Sequence, residues 1–186
     1  DNGICSTDTD PNTDEPVEVM PYRGLRSTIH GDVIHSRPLT VTYGVDDNDS
    51  NVFRIFYGAN DGLFRAVNPD DGNEDWALLA QEHVNKIERL YRNTPTIDYE
   101  GLPPELSSAL PPAGVAAEKK DYYFDGSTGA FLDYNDAGQL VEGILFPTMR
   151  RGGGKLYAVD ISPAEGSPGV PPSAPSIKWA KSFSGV

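Results

Sequence analysis

From Phe53 to Trp76 the chain alternates apolar and polar positions in short bursts separated by turn residues. Phe53, Ile55 and Tyr57 form one run, Leu63, Arg65 and Val67 a second, and Trp76 closes a third. Period-two alternation half-buries an extended strand, and the Asp61-Gly62 and Asp71-Gly72 pairs between the runs accept the positive φ that tight hairpins need. The pattern predicts a strand, turn, strand, turn, strand meander, with Gly62 and Gly72 as structural turn residues and Trp76 as an apolar anchor.

The same pattern returns about a hundred residues later. Gly153 to Asp160 aligns with Asp61 to Asn68, and Ile177-Lys178-Trp179 takes the place of Glu74-Asp75-Trp76. In the second copy the intervening turn expands into the Pro/Gly/Ser-rich stretch Ser162 to Ser176. Recurrence of one supersecondary unit points to a repeat architecture, with Trp179 as the counterpart of Trp76. The predicted fold is all-β: propeller-like antiparallel blades, incomplete in number, with one inserted helix and long Pro-rich loops.

The remaining segments fit around these units. Leu39 to Tyr43 alternates as a strand. Leu79, Val84, Ile87 and Leu90 fall near helical spacing, which predicts a helix over about 78–92, and Thr94 to Gly114 is broken by prolines, which predicts a covering loop over about 94–118. Lys119 to Asp133 and Gln139 to Met149 read as a further strand pair around the turn Asn135 to Gly138. The glycines after Arg150-Arg151 precede a strand and lack a Gly-Lys-Ser/Thr ending, so they read as a close crossing of neighbouring sheets rather than a phosphate loop. Residues 1–21 are acidic and poor in large apolar side chains and read as an extended arm, leaving 22–186 as the partial propeller.

The chain has 186 residues, and a blade takes roughly 40 to 50, so only about three or four fit and the chain is expected to be a fragment. Its 28 acidic and 15 basic residues give a net charge of −13, which repels nucleic acid and anionic membrane surfaces. No apolar run is long enough to insert into a membrane. The single cysteine, Cys5, excludes an internal disulfide, and nothing beside it in sequence would activate a thiol.

Candidate chemistry is sparse. Asp8, Asp10, Asn12 and Asp14 fall at every second position, a spacing at which a looped chain presents successive oxygens to calcium, although the turn glycine and the closing glutamate of a helix-loop-helix site are missing. The oxygen-rich Asp46 to Asn51 stretch and the Asp133/Asn135 pair read as hairpin turns. His30, Asp32 and His35 contain ligand and acid–base types. Two histidines five apart with one carboxylate read more simply as a turn, in which Asp32 accepts backbone N–H groups and His35 packs or bonds a carbonyl. No catalytic residue or cofactor-binding set emerges.

The order of these motifs resembles a known family. Gly31 to Ser36, then Tyr57 to Leu63 with Asn68 to Trp76, a helix, Tyr123 to Ser127, and Arg150 to Gly154 with Leu156 to Asp160 together look like the first part of the C-terminal propeller of the PilY/PilC-type type IV pilus tip proteins, over about residues 29–182. The chain departs from that pattern at Asn68, at Lys120-Asp121 and over Phe146 to Met149. The resemblance implies a bacterial extracellular protein at the pilus tip, non-catalytic, acting in adhesion and pilus assembly, with the rest of the same protein or minor pilins as partners and a host or surface ligand. It carries over no calcium ligand. The Tyr57 to Trp76 repeat also looks like that of quinoprotein dehydrogenases, the enzymatic alternative, but one cysteine cannot supply the vicinal disulfide of those enzymes. A carbohydrate- or protein-binding propeller unrelated to pili is the third class.

Overall fold

The computed structural model describes residues 30–46, 48–92 and 117–183, with the strand backbones at 8–9, 16–17 and 96–98. Two short strands, β1 (Asp8–Thr9) and β2 (Pro16–Val17), pair antiparallel within the acidic arm. The body of the protein is a pair of four-stranded antiparallel sheets, each a simple meander. The first comprises β3 (Leu39–Val45), β4 (Asn51–Gly58), β5 (Leu63–Val67) and β6 (Glu74–Leu79).

After β6 a 3-10 turn at Gln81–His83 leads into the helix α1 (Val84–Arg92). A short parallel pair follows, β7 (Thr96–Asp98) with β8 (Ala117–Lys119). The second sheet comprises β9 (Thr128–Tyr134), β10 (Leu140–Pro147), β11 (Lys155–Asp160) and β12 (Ser176–Ser182).

The alternation around Phe53 to Trp76 becomes strands as predicted. Gly62 and Gly72 sit in the two turns with φ of 98° and 72°. Register shows why Trp76 anchors the sheet: Leu39 lies across from Phe56, Phe56 from Ala66, and Ala66 from Trp76, so one apolar row crosses all four strands. The second copy repeats the arrangement, with Ala158 paired to Trp179 as Ala66 is to Trp76, and a β-bulge follows the pair in both sheets. Trp76 tilts against Phe56 at 5.7 Å between centroids, and Trp179 against Phe146 at 6.0 Å.

The two sheets bury one core. Val41, Tyr43, Phe56, Phe64, Ala66 and Trp76 from the first meet Leu140, Leu145, Tyr157 and Val159 from the second. Tyr43 closes the contact by donating its hydroxyl to the Ile161 carbonyl at 3.0 Å. Burial, the largest influence on Tyr43, pushes its pKa far above the usual phenol value.

Two expectations are corrected. The helix does not begin near residue 78, because Ala77–Leu79 completes the ladder to β5 with Leu79 opposite Leu63. Within α1 no residue is fully buried, and the helix is tethered by polar contacts: Lys86 Nζ donates to the carbonyls of Tyr122 at 3.3 Å and Gly152 at 3.1 Å. The stretch from Lys119 to Ser127 is likewise not continuous strand. β8 stops at Lys119, and Tyr123, Phe124 and Asp125 run irregularly between the sheets, each about 1 % exposed. Three adjacent side chains buried together cannot alternate between two faces, so the period-two reading fails there. The loop expected over about 94–118 lies largely outside the described residues.

Gly152 does make a close approach, though to the irregular segment between the sheets: a Cβ on it would stand 1.8 Å from the Tyr123 carbonyl oxygen. No helix among the described residues is long and apolar enough to cross a membrane.

Candidate functional site

At the seam of the two sheets Asn60 and His35 meet on the buried carboxylate of Asp125. Tyr123 and Phe124, the buried aromatics that precede it, lie inward with it. Its side chain is 0 % exposed, and Oδ2 lies 2.9 Å from His35 Nδ1. Its Oδ1 accepts from Asn60 Nδ2 at 3.3 Å, and Asn60 Oδ1 in turn accepts the Tyr123 backbone N–H at 3.2 Å. An unpaired carboxylate buried to this degree would carry a large desolvation penalty, so the imidazole and amide are the groups that make its burial tolerable.

The loop that carries His35 is fixed independently. Gly31 N–H donates to Asp61 Oδ2 at 3.0 Å, the Asp32 carbonyl accepts from the Asn60 N–H at 3.0 Å, and Ser36 Oγ accepts from the Gly58 N–H at 2.8 Å. Asp61 is also gripped by Arg65, which donates through both terminal nitrogens at 3.0 and 2.6 Å while its Nε reaches Glu74 at 2.7 Å. Burial works to raise the Asp61 pKa, but the Arg65 guanidinium and the Gly31 N–H outweigh it and hold the carboxyl below its ordinary value.

Asp32 behaves differently from expectation. Its carboxylate takes the Lys120 ammonium and, at 3.4 Å, the Asn60 side chain in addition to a backbone N–H. Burial is the largest single influence and raises its pKa, but the Lys120 ammonium, a backbone N–H and the Asn60 amide together outweigh it, and the net shift is downward. His35 bonds a carboxylate, not a carbonyl, because the buried irregular segment Tyr123 to Asp125 brings Asp125 to it across 90 positions. His30 stays exposed and tilts against Tyr57 at 5.8 Å. It is not joined to His35, and the three residues grouped in sequence do not form one cluster.

The turn readings hold in their local geometry. Asp46 Oδ1 accepts the N–H groups of Asn48 and Ser50, both at 2.9 Å, and Asn135 Oδ1 accepts those of Ala137 at 3.0 Å and Gln139 at 2.9 Å. The proposed calcium set, Asp8, Asp10, Asn12 and Asp14, lies outside the described residues apart from the backbone of Asp8, which pairs with Val17. Among the described residues no group of three or more His, Cys, Asp or Glu side chains could hold a metal.

Sequence reasoning missed Asp125 and Asn60. The available signal was Tyr122-Tyr123-Phe124 directly before Asp125-Gly126: a run of aromatics that must be buried pulls the next side chain in with it. A second buried polar group, His83, is fully enclosed between the edges of Tyr123 and Phe124 at 5.0 and 5.1 Å. The seam holds a half-buried imidazole against a buried carboxylate. Compared with protein-family models, with curated proteins and with solved structures, the chain matches none.

Proposed function

We propose that the chain is part of a non-catalytic β-propeller that presents a binding surface outside the cell, at the tip of a type IV pilus, as its resemblance to the PilY/PilC-type proteins implies. One observation supports the reading: in two four-stranded meanders Ala66 pairs with Trp76 and Ala158 with Trp179, each pair followed by a bulge. The Leu39–Phe56–Ala66–Trp76 row of the first sheet lies in the shared core, whereas at the corresponding side of the second sheet Trp179 is 37 % and Phe131 49 % exposed. Units stacked head to tail leave one unsatisfied face until the series closes or is capped, which is the logic of a propeller ring. On this reading further blades of the same protein, or minor pilins, cover the open face, and the long loops form the variable contact surface.

The test is localisation in the source bacterium. Antibodies raised against this chain should label the ends of sheared pili and recover minor pilins from the pilus fraction. Their recovery from the cytoplasm alone, or a pyrroloquinoline quinone-dependent dehydrogenase activity of the purified protein, would sink the pilus reading.

A further inference from the structure

Beside His35 the seam opens into a cleft of about 310 Å3 lined by Ile34, His35, Arg37, Gly126, Ser127 and Arg150. Among the described residues no carboxylate lines it, in a chain with 28 acidic and 15 basic residues. The lining comes from three separate segments: the loop before β3, the bend before β9 and the turn after β10.

The arginines sort by partner. Arg54 holds Asp75, Arg65 holds Asp61, Arg89 holds Asp121 and Arg92 holds Glu88, while Arg151 lies over the Tyr122 ring at 5.2 Å. Among the described residues Arg37 and Arg150 pair with no carboxylate, and both face the cleft. Arg150 is also one of two described non-glycine residues with positive φ, at 48°. A β-carbon disfavours that backbone, and such strain persists only where the surroundings fix it. Here the Gly152 N–H bonds the Met149 carbonyl at 2.7 Å, and Gly152 is pressed against Tyr123.

His35 is held with equal definition, since its Nδ1 is committed to the buried Asp125 carboxylate.

We propose that this cleft binds an oxyanion, the carboxylate or phosphate group of a small polar ligand. Arg37 and Arg150 supply the charge and the forked donors that match such a group, with the Ser127 hydroxyl as a further donor. The volume suits one oxyanion with a small organic body. The net charge of −13 makes a polyanion such as nucleic acid, or an anionic bilayer, a poor occupant. The proposal stands apart from the propeller reading and can fail or succeed without it.

The experiment is an amide chemical-shift titration of the whole chain at constant ionic strength with sodium phosphate, acetate and glucuronate in separate arms and chloride as the control. The expected result is saturable shifts confined to residues 34–37, 126–127 and 150–152, with a Kd on the order of millimolar or tighter for at least one probe. Phosphate ahead of both carboxylates identifies a phosphate ligand, and glucuronate ahead of acetate identifies an acidic sugar. Arg150→Gly, which suits the local backbone, and Arg37→Gln should each leave the fold intact, and either should weaken binding about tenfold or more. Arg151→Gln, on the same turn but stacked on Tyr122, should leave binding unchanged. Shifts that stay linear to tens of millimolar with every probe, as with chloride, would overturn the proposal. So would binding unaffected by both cleft substitutions, or an equal loss in all three variants, which would indicate surface charge alone.

Discussion

At the scale of single residues, His83 makes the protein acid-sensitive above the carboxylate range. Its side chain is fully buried, its Nδ1 lies 3.4 Å from the Gly62 carbonyl, and its Nε2 has no partner. Burial is the main cause that holds its pKa below the usual 6.5, and the nearby Lys86 ammonium adds to it. A lowered folded-state pKa means that the unfolded chain binds the proton first. The stability associated with neutral His83 is therefore present above about pH 6.5 and is lost as pH falls from there through the folded value. Asp32, Asp61 and Glu82 are also lowered, from 3.8 and 4.5, so their contributions vanish only at more acidic pH. Urea unfolding should thus show lower stability at about pH 5.5 than at about pH 7.5, and His83→Phe should remove most of that difference. An unchanged difference in His83→Phe would assign the effect to other groups. His83 was not singled out in the sequence because Gln81 to His83 sits in a stretch patterned for a helix. Its burial depends on Tyr123 and Phe124, forty positions away.

Elements were legible where local chemistry decides them. β4, β5 and β6 follow from alternation and Asp-Gly turns, which act within a few residues. The start of α1 and the course of Lys119 to Ser127 were not, because pairing with Leu63 extends β6 and because burial between two sheets overrides periodicity. The glycines separate the same two causes. At Gly72 a Cβ meets nothing within 4 Å, so Gly72→Ala carries only the left-handed backbone penalty, about 1 to 2 kcal/mol. At Gly152 the Cβ would collide with the Tyr123 backbone carbonyl, which cannot move without shifting the buried segment Tyr123 to Asp125, and Lys86 also bonds the Gly152 carbonyl. Gly152→Ala should therefore lower stability by more than about 3 kcal/mol, or prevent folding. Comparable unfolding midpoints for the two variants would mean that the second sheet does not cross Tyr123 as closely as described.

At the scale of the whole molecule, the repeat read from two short motifs holds to the level of paired residues and bulge position, yet its two tryptophans stand in unlike surroundings. Trp76 is 9 % exposed and touches Phe56 and Phe64, under the second sheet, whereas Trp179 is 37 % exposed beside Phe146, with Lys181 over its ring at 5.2 Å. Sequence treated the two as equivalent because it records the unit and not what covers it. Trp76→Ala should cost about 3 to 5 kcal/mol, since it empties a packed site between sheets. Trp179→Ala in the isolated chain should cost about 1 kcal/mol or less, because water already reaches the ring. The asymmetry is itself a probe of the propeller reading. In a longer chain or complex that supplies a covering blade, the cost of Trp179→Ala should rise towards that of Trp76→Ala, and the indole emission of Trp179 should shift to the blue on covering. Equal small losses at both positions would remove the buried inter-sheet core. A Trp179 that stays exposed when the candidate neighbour is present would show that the open face is not a blade interface.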